Sequence, residues 1–515
     1  MLRFKKQMLI FASVMVGLLL TVACNKNETT YATPSLSIEG DVVVDLAPNE
    51  NTKIKLSLNG DGGAKSVVVN KNGGFLKQFP IHATAKEFIY TTEPVPSGME
   101  EGDEIKYSFI LVNENNVDSA EIPVVIKVSL HNKISVGNNT LYSLNIGTDG
   151  VVASGQKVKL ITGRNYFVPT NLTFEAGSSL TIEEGVQVYM NAEATDKVGF
   201  EISGEVNIAG TATNPVVITS SKVLTDATAA AAGDWGRFVI NGSGNTSNSG
   251  KISYLRLEYG GDRTFRLLNV GAATEFDHIQ VFQSSGEGFM FTDGNAELKY
   301  LVATNCQGGS FRLGEQYEGK IQFALSVNTE RFDENDDFTI RENAKPVIAN
   351  VTLVGAGENV PNTHGMRMRG NAAPKIYNTI IAHYPRRGLR ADDNVNISDL
   401  NGDAVFAHSY IFNVKTDPFR GLAKTFAGTF DSNGSLETNP FYNNATALIN
   451  KVYTLETIAG IGVADFIPDT EQVSDFDPAS LGTFFTSAKY VGAIKNAAED
   501  WTKGWVKTHT GAIRN

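Results

Sequence analysis

Cysteine is almost missing from this chain: Cys24 and Cys306 are the only two in 515 residues, which excludes a disulfide framework. Histidine is sparse as well. The seven present, at 82, 131, 278, 364, 383, 408 and 509, include no His-x-x-x-His pair or other metal-ligand spacing. There is no Gly-x-Ser-x-Gly elbow and no glycine-rich phosphate loop ahead of a helix, so the common nucleophile and nucleotide signatures are absent. Positive charge is in deficit, with 44 Lys and Arg against 56 Asp and Glu, a net charge of -12. Such a field is a poor one for nucleic acid or an anionic membrane surface.

What the chain does contain is a repeat. From residue 252 an apolar residue is followed by others three and five positions later: Ile252/Leu255/Leu257, Phe276/Ile279/Val281, Leu298/Leu301/Ala303, Ile348/Val351/Leu353. Weaker copies start at Ile321 and Ile376. A period of 22 to 28 with strand-like alternation and Gly or Asn at the breaks predicts a β-solenoid, in which each coil buries its apolar face against its neighbours. Two alternating segments, 171–185 and 200–208, carry the same style upstream. Residues 35–130 read differently, as short alternating strands between turn clusters such as Asn59-Gly60-Asp61-Gly62-Gly63, and predict an immunoglobulin-like sandwich without the usual Cys pair or central Trp.

The first residues carry an address. Arg3, Lys5 and Lys6 precede an apolar run from Met8 to Leu20, and Thr21-Val22-Ala23-Cys24 follows. That is a secretory signal ending in a bacterial lipobox, with cleavage before Cys24 and acylation of that residue expected. Loss of the three cations takes the net charge to -15. The expected organisation is therefore a signal peptide at 1–23, a polar tether at 24–34, the sandwich at 35–130, a parallel β-helix at 131–400, and last coils with a capping region at 401–515. In that region a helical-looking stretch, Ser487 to Lys503, would close the exposed end of the stack.

Several phrases carry a family resemblance: Leu180-Thr181-Ile182-Glu183-Glu184-Gly185, Gly233-Asp234-Trp235-Gly236, Leu257-Glu258-Tyr259-Gly260-Gly261, Ile348-Ala349-Asn350-Val351-Thr352-Leu353, Tyr490-Val491-Gly492-Ala493 and Asp500-Trp501-Thr502-Lys503-Gly504-Trp505. Over about 160–510 the chain resembles the pectin-lyase-like, right-handed parallel β-helix lipoproteins of Bacteroidetes. The resemblance implies an all-β fold and an outer-membrane, cell-surface location, and leaves activity open. Where members often carry acidic pairs before Gly-Phe, this chain reads Ser284-Ser285-Gly286-Glu287-Gly288-Phe289 and Gly308-Gly309-Ser310-Phe311.

A second strand follows each apolar phrase, and its middle residues should point outward in one column: Arg266, Met290, Arg312, Thr339, Arg367, Arg390. Rungs lie about 4.8 Å apart, so these arginines need counter-charges, either acids such as Asp392 and Asp393 or an anionic ligand. Arg266, Arg312, Arg367, Arg369 and Arg390 are the candidate ligand contacts, for a carboxylated or sulfated glycan. The acidic segment with Asp333, Asp336 and Asp337 is a candidate Ca2+ loop lacking EF-hand spacing, or else a solvated turn. Hydrolysis would need two carboxylates on adjacent rungs, and the readable outward columns hold few. His364 reads as a turn residue. Three functional classes stand: a non-catalytic surface protein that captures glycan or another nutrient for a TonB-dependent transporter, an anionic-polysaccharide lyase or hydrolase, and a structural or adhesive stalk.

Overall fold

The structure is a computed structural model that describes residues 33–147, 149–329, 336–357, 363–392, 394–395, 403–412, 414, 417–421, 466–468 and 471–515. Cys24, Asp333 and Asp393 lie outside the described residues. The chain divides into two compact units, one of 1–97 and 103–127, the other of 98–102 and 128–515.

The first unit is a β-sandwich of largely antiparallel strands. Strands Ser35–Glu39, Lys53–Asn59 and Glu87–Thr91 form one sheet; Val43–Leu46, Ile122–Val128, Glu104–Asn113, Ala64–Lys71 and Gly74–Pro80 form the other. Alternation sends Leu56, Val67, Val69, Phe109, Leu111 and Val124 into a fully buried core. With no disulfide or Trp to fill the centre, Tyr90 packs on Tyr107 and Phe109 with ring centroids 5.6 and 5.7 Å apart.

The second unit is a parallel β-helix. Its rungs stack in the register that the repeat predicts: Ile252, Phe276, Leu298, Ile321, Ile348 and Ile376 pair in turn, and each is buried. The odd spacing of three then two has a backbone cause. One residue in each phrase, Tyr254, His278, Tyr300, Phe323, Asn350 and Asn378, adopts the left-handed conformation (φ 49 to 61°), which bends the strand and restores inward pointing at the next position. Upstream of Gly250 the same face is made by separate strands. Glu205–Ala209 and Val216–Ser220 both pair with Gly250–Glu258, where they merge.

The bend residues form a ladder. Rings of Tyr254, His278 and Tyr300 stack at 4.2 Å, Phe323 follows at 4.9 Å, and Asn350 and Asn378 continue it. The described C-terminal residues pack on this ladder along the flank of the coils; residues 422–465 of the expected capping region lie outside the described residues. Trp501 and Trp505 meet the aromatic rings edge-on. Gln280 exchanges two hydrogen bonds with the backbone of Lys507 (2.7 and 2.8 Å), and Gln322 does the same with Thr486 (2.8 Å each). Asn350 donates to Tyr490 O at 2.8 Å. The segment is a flank covering held by side-chain amides, and the stretch 487–503 holds no α-helix but a short 3-10 turn, Ala497–Glu499, and an isolated bridge of Tyr490 to Val473.

Candidate functional site

The second strand of each coil builds the other long sheet, and its middle residues do form one column. In register it runs Thr173, Glu201, Val239, Arg266, Met290, Arg312, Thr339, Arg367, Arg390 and Arg420. Flanking Phe265, Leu267, Phe311, Leu313, Met366 and Met368 are buried, as alternation requires. Met290, although in the column, is covered.

The middle of the column is neutralised within the protein. Arg367 lies 2.7 Å from Asp392 and 3.4 Å from Asp336, and Arg390 lies 2.7 Å from the other oxygen of Asp392. Burial works against the charge on Arg367, but Asp392 and Asp336 outweigh it and raise its pKa. Arg312 lies 3.1 Å from Glu287, and Arg369 reaches Glu342 at 3.9 Å. The ends differ. Arg266 and Arg387 have no carboxylate within 4 Å among the described residues, and the Nε of each is buried without a hydrogen-bond partner. Burial, then neighbouring arginines, lower the pKa of both: Arg237 and Arg263 act on Arg266, Arg420 and Arg386 on Arg387. A guanidinium destabilised by its own kind is stabilised by any anion that arrives.

Beyond Arg266 the column continues into a cleft of ≈ 460 Å³ floored by Thr173, Glu201 and Val239 and edged by Arg237, Asp262 and Ser285. The arginine column is therefore continuous in register with the floor of the cleft. Beside Arg266, Asp262 and Glu287 stand on adjacent coils, where Glu287 N–H donates to Asp262 Oδ1 at 3.3 Å and the two carboxyls influence each other's ionisation. Gly286 makes room for this contact, since a Cβ there would lie 2.1 Å from Asp262 Oδ1. This pair lies outside the outward positions for which few adjacent carboxylates were expected. Asp262 sits in the turn before the column strand and Glu287 three residues ahead of Met290, so neither falls in the readable column. The acidic Glu287 and the room-making Gly286 were the available signals.

The acidic segment does not converge on an ion in its described part. Asp337 is fully buried and accepts from Ser310 N (3.0 Å), Ser326 Oγ (2.6 Å), Asn328 Nδ2 and Tyr384 OH. Its neighbour Asp336 faces Arg367 and His364 instead. Alternation separates the two carboxylates that a Ca2+ site would bring together, and no group of three or more His, Cys, Asp or Glu suited to a metal occurs among the described residues. His364 opens the strand His364–Met368 and is buried 3.2 Å from Asp336, which corrects its reading as a turn residue. Cys306 is buried against Val281 O and Thr304 O, as packing material.

No functionally curated protein matches the chain. Among solved structures, the fibronectin(III)-like modules of Clostridium thermocellum CbhA are 19% identical over 19% of this chain and 47% of theirs, with a TM-score of 0.15, so this chain spans under half their length. A CARDB domain from Pyrococcus furiosus, in complex with di-metal ions, is 19% identical over 21% of this chain and 100% of that one (TM-score 0.14). Pectate lyase PelI of Erwinia chrysanthemi, in complex with tetragalacturonic acid, is 9% identical over 65% of this chain and 85% of that one (TM-score 0.12). Residues 150–247 and 241–449 match the pectate-lyase-like β-helix domain, and the chain belongs to that family.

Proposed function

We propose that this protein is a lipid-anchored, outer-membrane, cell-surface protein that binds an anionic polysaccharide lengthwise along the arginine groove and presents it to a TonB-dependent transporter without cleaving it. The observation that carries the reading is two arginines on one sheet, Arg266 in the column and Arg387 on the same strand as Arg390, with no carboxylate within 4 Å among the described residues. Internal neutralisation accounts for Arg367 and Arg390 but leaves these two unexplained. Arg266 and Arg312 are two rungs apart, as are Arg312 and Arg367, so ligand charges about 9.6 Å apart would meet successive arginines. That spacing suits a chain with an acidic group on every second sugar.

The double variant Arg266→Gln/Arg387→Gln is expected to keep its thermal midpoint and lose salt-sensitive retention on immobilised sulfated and uronic-acid polysaccharides. Unchanged retention, or no retention of the wild type at low salt, refutes the proposal; release of unsaturated oligosaccharides by the wild type would favour a lyase. The anchor is tested separately. Cys24→Ala should move the protein out of the detergent-extracted membrane fraction, or leave it unprocessed, because acyl chains supply most of the membrane affinity. Equal membrane retention of that variant rules the anchor out.

A further inference from the structure

We infer that the Arg266 end of the groove is a discrete anion site whose internal counter-ion is the Asp262–Glu287 carboxyl pair, so that a bound sulfate or carboxylate displaces the pair and proton uptake accompanies binding. The inference rests on the anion-binding reading of the column and adds a location and a regulation to it.

Four guanidiniums converge there. Arg312 lies 3.1 Å from Glu287, Arg263 lies 3.4 Å from Asp262 and 3.6 Å from Glu287, Arg237 lies 3.5 Å from Asp262, and Arg266 has neither. The other acid felt by Arg266 is Glu315. Against these cations stand two carboxyls that share Arg263 and are brought together by the Glu287 N–H to Asp262 Oδ1 hydrogen bond of 3.3 Å, an arrangement in which ionising both sets them in mutual repulsion. Burial, then Asp262, push Glu287 above the ordinary carboxylate range. Burial would raise Asp262 too, but the hydrogen bond with Glu287, together with Arg263 and Arg237, holds it below. The pair thus carries close to one negative charge once Glu287 is protonated, against four positive ones. Both side chains remain reachable, 39% exposed for Asp262 and 22% for Glu287, and Asp262 also edges the cleft over which the rest of a ligand would lie.

The sign of the pH effect follows. Above the raised Glu287 value both carboxylates occupy the arginines and compete with the ligand. As pH falls through that value Glu287 takes a proton and releases Arg312 and Arg263, so affinity rises. By linkage, an anion that binds in the same place pulls a proton onto Glu287.

A sulfated dextran oligosaccharide is the probe, because its sulfate esters stay ionised from about pH 8 to about pH 4 and contribute no titration of their own. Calorimetry of the full chain in two buffers of different ionisation heat should show uptake of up to one proton per site, with affinity rising on the order of tenfold across that range. Glu287→Gln should bind at the upper pH about as tightly as the wild type does at the lower, without proton uptake. Asp262→Asn, which keeps Glu287 but removes its partner, should shift the uptake toward the ordinary carboxylate range. Wild-type binding that is independent of pH, or proton uptake that survives in Glu287→Gln, overturns the carboxyl-pair inference and leaves the anion reading standing. Absence of binding at every pH removes the anion reading itself.

Discussion

Leu301→Asp is expected to abolish cooperative folding of the β-helix, while Thr339→Asp leaves the thermal midpoint close to that of the wild type. Leu301 is fully buried and stacks in register between Ile279 on one coil and Ala324 on the next. The substitution removes a packed aliphatic side chain, which costs about 2–5 kcal/mol. It also strands a carboxylate with no partner between two coils, which adds several more. A total of that size is comparable with the whole stability of an ordinary domain, about 5–15 kcal/mol. Because each coil is stabilised mainly by its neighbours, the damage spreads along the stack. Thr339 lies in the outward column between Arg312 and Arg367, where a new carboxylate meets positive charge. Circular dichroism melts of both variants decide the matter: equal midpoints would show that Leu301 does not face the core.

The legible part of this molecule was the part that repeats. Six copies of one apolar phrase specified which residues stack on which, and the column of the second strand followed from alternation alone. The spacing of three then two already contained the bend, since strict alternation cannot produce it. Two of its residues, Asn350 and Asn378, are of a type that tolerates the left-handed region; Tyr254, Tyr300 and Phe323 are not, and there Tyr254 and Tyr300 meet Trp505 and Trp501 edge-on while Phe323 stacks on Tyr300. What could not be read was what lies against the outside of the coils. Val302, Leu325 and Ile380 occupy nominally outward positions and are buried by the C-terminal covering. Apolar residues on an outward column were the available sign that something covers that flank, but nothing in the sequence says that it is a segment well over a hundred residues away from most of them. The same limit hid the Asp262–Glu287 contact, which depends on how two turns meet across neighbouring coils. The acidic turn misled for a related reason: composition groups Asp336 with Asp337, and alternation then sends one to the arginines and the other to the core.

The covering is held by charge as well as by amides, and its removal makes the last prediction. Glu258 is buried beneath the C-terminal segment and is bound by Arg256 at 2.5 Å, Lys507 at 2.9 Å and the Thr219 hydroxyl at 2.9 Å; Arg256 also donates to Trp505 O at 2.7 Å. Burial acts to raise the Glu258 pKa, but Arg256 and Lys507 outweigh it and hold it below the ordinary value. A depressed carboxylate stabilises the fold above its unfolded-state pKa, and the contribution is lost as pH falls through the folded value. The covering should therefore loosen only in acid, below the ordinary carboxylate range. Glu258→Leu leaves the buried Arg256 and the partly buried Lys507 without their anion and is expected to cost about 3–5 kcal/mol at neutral pH. The loss should appear first as faster hydrogen exchange at Trp501, Trp505 and Lys507, with the strands of the inner core still protected, because the coils keep their own contacts. The combined variant Arg256→Met/Glu258→Leu/Lys507→Met removes all three charges together and should recover most of the stability, since apolar groups of similar volume need no counter-charge. If Glu258→Leu exchanges no faster than the wild type at these three residues, the covering is held by packing and amide contacts alone and the ion triad contributes nothing to it.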